Sequence, residues 1–177
     1  MKKIFYFLVN YRFYRIIALF YCWFAIKKKY SSKDKNRKNR LLFLNDSKFR
    51  GDIDVIGKTK KFTIFTLSER WSSVLLASLY EGKLDILQYH LKGEEFDDFY
   101  AKIAKLIKKY LKINAVIIPN YRYGQDYPFV KAFKRNNVPV IIFYRECLLT
   151  FERMIDTVTK RHQLFRGYPH DLVLVHN

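Results

Sequence analysis

The chain is poor in cysteine. Cys22 and Cys147 are its only two, 125 positions apart, which excludes a disulfide framework and a cysteine-based zinc site. A reducing compartment fits that usage. Acidic residues are also scarce, 16 against 34 Lys and Arg, for a net charge of +18. No G-x-G-x-x-G and no P-loop occurs, so neither a dinucleotide nor a nucleoside triphosphate has its usual cradle. His90, His162, His170 and His176 lack metal-ligand spacing, no internal repeat is found, and no metal or cofactor is expected. A long uninterrupted hydrophobic run is missing too. Arg12 and Arg15 divide the apolar N-terminus into runs of six (Ile4–Val9) and eleven (Ile16–Ile26) residues, each shorter than the roughly 20 a crossing helix needs.

What is present is apolar mass and lopsided charge. Half of the 177 residues are hydrophobic and 18% are aromatic, which excludes a disordered chain. Residues 1–50 hold 14 Lys and Arg against only Asp34 and Asp46, and 11 aromatics lie within residues 1–30. Three segments follow: a basic aromatic helix over 1–27, a lysine-rich linker over 28–40 and an α/β domain over 41–177. The first suits a helix lying in a membrane interface. Trp23 and its aromatic neighbours would enter the headgroup boundary, while Lys2, Lys3, Arg12, Arg15 and Lys27, Lys28 and Lys29 face anionic phosphates. The competing reading is a helix of the globular core whose aromatics are simply buried. Peripheral association with the cytoplasmic face of an anionic membrane is the resulting expectation. No small-residue cleavage site marks a secretory signal. The basic excess sits beside an apolar segment, and no nucleic-acid module is recognisable, so no specific nucleic acid is expected as a partner.

From Leu41 onward, strand and helix patterns alternate. Leu41–Leu44, Asp52–Ile56, Phe62–Leu67, Leu84–Tyr89, Ala115–Pro119, Val138–Tyr144 and Asp171–Val175 read as strands. Ser68–Tyr80, Glu94–Lys112, Pro128–Asn136 and Leu148–Leu164 read as helices. The β-α-β-α-β order over 114–176 predicts a Rossmann-like parallel sheet with right-handed crossovers and helices on both faces. The chain stops directly after a core strand, which suggests the N-terminal part of a longer protein.

Ligands of open α/β sheets bind at the carboxyl ends of the strands. Those ends carry Ser68, Glu69 and Arg70; the loop Asn120–Asp126, with Tyr121, Tyr123 and Asp126; Arg145, Glu146 and Cys147; and His176 with Asn177. Glu146, beside Arg145, is the candidate general base, the alternative being a structural ion pair or solvated rim charges. Tyr121 and Tyr123 with Gln125 and Asp126 would suit a sugar ring, although a polar turn around Gly124 accounts for the same residues.

The runs NAVIIP (114–119), VPVIIFYREC (138–147) and DLVLVHN (171–177) resemble the N-terminal, acceptor-side Rossmann-like domain of two-domain GT-B-type glycosyltransferases. Enzymes of capsule and surface-polysaccharide synthesis are among them. The resemblance implies metal-independent sugar transfer from a nucleotide-sugar to a glycan or lipid-linked acceptor. It places the donor mainly on a second domain after Asn177, so that this chain alone would be inactive. Asn120, Tyr121, Glu146, His176 and Asn177 would then be acceptor or cleft positions. The alternative from another class is a non-enzymatic, membrane-associated α/β adaptor.

Overall fold

The computed structural model describes residues 4, 7–8, 11–33, 39–49, 51–79, 94–119, 126–144 and 170–175. Six strands form one sheet: β1 (Ile26–Tyr30), β2 (Arg40–Leu44), β3 (Thr63–Leu67), β4 (Ala115–Ile118), β5 (Val140–Tyr144) and β6 (Leu172–Val175). The spatial order is β1-β3-β2-β4-β5-β6. Every pairing is parallel except that of β1 with β3, where Ile26 lies opposite Leu67. The α/β class with a largely parallel sheet agrees with the sequence pattern.

The helices are α1 (Tyr14–Phe20), α2 (Asp52–Lys58), α3 (Glu69–Leu79), α4 (Glu94–Leu111) and α5 (Tyr127–Arg135). A short 3₁₀ turn covers Asp46–Phe49. The sheet separates two apolar layers. One gathers Leu42, Leu44, Val116, Ile118 and Val140 with Tyr100, Ile103 and Ile107 of α4 and Phe129 and Phe133 of α5. The other sets Phe43, Ile64 and Ile117 against Phe49 and Ile53. Alternate residues of β2 thus feed opposite layers, as the pleat requires. Helix α4 carries Phe99, Ile103 and Ile107 on its buried face. It is joined to α5 by an Asp98–Arg135 pair at 2.8 Å, by an Asp97–Lys131 pair, and by the Asn136 amide donating to the Ala101 carbonyl at 2.8 Å. Gly51, at φ +104°, occupies a left-handed position that suits a residue without Cβ as it leads into α2.

Three expectations are corrected. Asp52–Ile56 is the start of helix α2, not a strand; its apolar residues Ile53 and Ile56 meet the second layer one helical turn apart. The N-terminus is not one continuous helix over 1–27. Arg12 adopts φ +54° in a turn, α1 begins at Tyr14, and Tyr21–Ala25 forms a π-helical turn that runs straight into β1. Nor is 28–40 only a tether, because residues 26–30 are an edge strand and Arg40 opens β2. Ile17, Ala18, Tyr21 and Ala25 are buried in the first layer, so the core reading holds for that face of the segment. Among the described residues no helix is long and apolar enough to cross a membrane. The expected strand Leu84–Tyr89 and helix Leu148–Leu164 lie outside the described residues.

Candidate site at the topological switch point

Counted in chain order, the five parallel strands run 2-1-3-4-5 across the sheet. The connection from β2 moves outward to β3. That from β3 returns past β2 to β4, so a crevice opens beyond the carboxyl ends of β2 and β4. Four polar side chains are delivered there. Asn45 ends β2, with its backbone N–H donating to the Leu67 carbonyl at 2.7 Å. Its φ of +58° is left-handed, a region asparagine tolerates better than most residues. Glu69 and Ser72 come from the first turn of α3, where the Ser68 carbonyl accepts from the N–H groups of Trp71 and Ser72. Asp126 precedes α5, and its carbonyl accepts from Val130 N–H at 3.0 Å.

Asp126 occupies the N-cap position of α5, where a carboxylate ordinarily accepts a helix N–H. It makes no such bond. Its side chain is wholly buried, and neither carboxyl oxygen is hydrogen-bonded; the Asn45 amide nitrogen and the Ser72 hydroxyl are buried and unpaired as well. Burial pushes the Asp126 carboxyl up to about 7, and the negative charge of Glu69 adds to the rise. Ser72 and Asn45 lie near enough to favour the anion and pull the other way, without completing a hydrogen bond. Asn45 is further placed by the Ser47 hydroxyl, which donates to its Oδ1 at 3.3 Å. Unpaired buried polar atoms cost about 1–3 kcal/mol each, and four of them, from three side chains, converge here, which makes the switch point the candidate site. A carboxyl titrating near neutrality can accept a proton from a hydroxyl and return it.

Of the residues expected from the sequence, Glu69 and Asp126 are brought near each other here, while Ser68 contributes its backbone carbonyl to the first turn of α3. Asn120, Tyr121, Tyr123, Arg145, Glu146, His176 and Asn177 lie outside the described residues. Asn45 and Ser72 were not singled out. Their signals were a strand stopping on asparagine and a serine one helical turn after Ser68. Among the membrane candidates, Lys2 and Lys3 also lie outside. Arg12, Arg15 and Trp23 are exposed. Lys27, Lys28 and Lys29 sit on the edge strand β1, where charge blocks pairing with another chain, and Lys29 bonds Asp54 at 2.8 Å. Cys22 is half-buried, its thiol pushed up to about 11 by burial, which makes it a poor nucleophile. Among the described residues no group of three or more His, Cys, Asp or Glu is placed to hold a metal.

No protein-family model, no curated protein and no solved structure matches this chain.

Proposed function

We propose that this chain is the acceptor-side domain of a membrane-associated, GT-B-type glycosyltransferase, with the switch-point crevice as its acceptor site. The supporting observation is Asp126: a buried carboxyl shifted to about 7 and left free of helix capping at the carboxyl ends of β2 and β4. In the reaction this reading describes, Asp126 takes the proton of an acceptor hydroxyl as that oxygen bonds the anomeric carbon. The carbon's bond to the nucleotide diphosphate breaks, and the leaving group carries away the electron pair. Asn45 and Ser72 supply hydrogen-bonding partners for neighbouring hydroxyls of the sugar, ending their own lack of partners. Direct displacement with a side-chain base inverts the anomeric centre. The nucleotide-sugar, held mainly by a second domain in enzymes of this layout, meets the acceptor across the crevice. Peripheral attachment to an anionic membrane surface is part of the same reading and suits a lipid-linked acceptor.

Saturation-transfer NMR on the whole chain tests this, with methyl glycosides of glucose, galactose and N-acetylglucosamine as probes and UDP-sugars alongside. Transfer to at least one glycoside, abolished in Asp126→Ala, is the expected result. Binding of neither class overturns the proposal and leaves the adaptor reading in its place.

A further inference from the structure

The turn that interrupts the N-terminal segment also builds a groove. Arg12, Phe13, Tyr14, Arg15 and Ile16 form one wall, and Lys102, Lys105 and Leu106 of α4 form the other, enclosing about 460 Å³. Among the described residues four cations line it and no carboxylate does. Two acidic residues of α4 are engaged elsewhere, Asp97 with Lys131 and Asp98 with Arg135. Among the described residues none of the four cations has an anionic partner; Lys102 instead sits 4.9 Å from the centre of the Tyr14 ring. The walls between the charges are apolar, and they continue outward rather than inward. Phe7 and Tyr11 have ring centres 4.5 Å apart, and both stack beside Phe13 at 6.3 Å. Phe7, Tyr11, Phe13 and Ile16 are 43–65% exposed, an unusual concentration of apolar surface around a basic cleft.

Charge and surface together select the occupant. A small anion would use the cations and leave the aromatic rim in water. An apolar partner would use the rim and strand four charges. A phospholipid satisfies both, its phosphate among Arg12, Arg15, Lys102 and Lys105 while the rim enters the headgroup boundary beside it. We infer that this groove seats the phosphate of an anionic phospholipid and docks the domain on a bilayer through the Phe7–Tyr11–Phe13 rim. The inference rests on the membrane-surface part of the proposed function and is independent of sugar transfer. It assigns the contact to a site made by two segments about 90 positions apart, not to a detached basic helix.

Vesicle flotation of the full chain tests it, with phosphatidylcholine vesicles containing or lacking phosphatidylglycerol. Lys102→Gln/Lys105→Gln removes two groove charges from exposed positions. Lys60→Gln/Lys61→Gln removes the same charge from the exposed turn after α2. At roughly fivefold per lysine close to an anionic surface, the groove variant loses about 25-fold in affinity for the phosphatidylglycerol vesicles, and the control less than about threefold. Equal losses in both variants overturn the groove while leaving membrane attachment standing. No flotation of the wild-type chain overturns both. Displacement of the protein from vesicles by free glycerol phosphate at matched phosphate concentration overturns the lipid as occupant. So does an oligonucleotide whose binding, unlike flotation, depends on Lys102 and Lys105.

Discussion

The hydroxyl of Tyr21 donates a 2.8 Å hydrogen bond to the backbone carbonyl of Trp71. The two residues are fifty positions apart, and the bond ties the N-terminal segment to α3. Tyr21 is fully buried, which pushes its hydroxyl far above the usual tyrosine range, and its ring lies 5.4 Å from that of Phe129. The N-terminal segment is therefore part of the domain. Tyr21→Phe should destabilise by about 1 kcal/mol through the carbonyl left unpaired. Tyr21→Ala should cost about 3–5 kcal/mol through the cavity. Urea unfolding followed by circular dichroism measures both.

Gly57 lies under the Tyr30 ring so closely that a Cβ there would stand 2.4 Å from a ring carbon. Tyr30 is held in place by donating to Asp54 Oδ1 at 2.8 Å. Gly to Ala inside a helix ordinarily stabilises by about 0.5–1 kcal/mol. Here the sign should reverse, with a loss of about 1–3 kcal/mol from overpacking. Thermal unfolding of Gly57→Ala and of Gly57→Ala/Tyr30→Ala checks this, since removing the ring should restore the ordinary helix preference.

Asp171 opens β6 by accepting from the Val140 N–H at 2.8 Å and pairing with Lys134. The hydrogen bond from Lys134 first, then that from Val140, holds its carboxyl below the usual range. Such a contribution is present above the unfolded-state value near 4 and fades as pH falls through the lower folded value. The side chain is partly exposed, so solvent screens it and the effect should be about 1 kcal/mol. Asp171→Ala should raise the Val140 amide exchange rate about fivefold at neutral pH.

Asp126 predicts the opposite pH behaviour. Between about pH 4 and 7 the folded carboxyl keeps a proton that the unfolded chain has released, so stability falls as pH rises through that window and levels off above it. Three pH units correspond to a change on the order of 4 kcal/mol. Asp126→Asn, neutral at every pH, should flatten the profile and be more stable than the wild type at pH 8. Urea midpoints at pH 4.5, 6 and 8 (bracketing the value near 7) decide it.

Strand and helix periodicity was plain where local propensity and burial agreed. Phe62–Leu67, Glu94–Lys112 and Ala115–Pro119 fall within a residue or so of β3, α4 and β4. It failed where one short apolar pattern suits two structures. DIDVI alternates like a strand, yet Ile53 and Ile56 also share a helix face, and the glycine before Asp52 decides for the helix. It failed again at residues 26–30, where three water-facing lysines hide a strand whose backbone pairs with β3. At the candidate site the strand-end rule pointed to Glu69 and Asp126, which the fold brings near each other. Nothing in the sequence distinguishes Asp126 as an unused cap, because that depends on where its carboxyl turns. Asn45 belongs to the site only because β4 lies beside β2, a long-range pairing that local pattern does not encode.

The proposed function turns on Asp126 acting as an acid–base group toward a bound ligand. Carbon-13 NMR of aspartate carboxyls in the whole chain tests it most directly, with Asp126→Asn identifying the resonance. One carboxyl should titrate near pH 7, and its chemical shift and midpoint should move when a methyl glycoside is added. A midpoint near 4, or a titration unchanged by every glycoside, would contradict it.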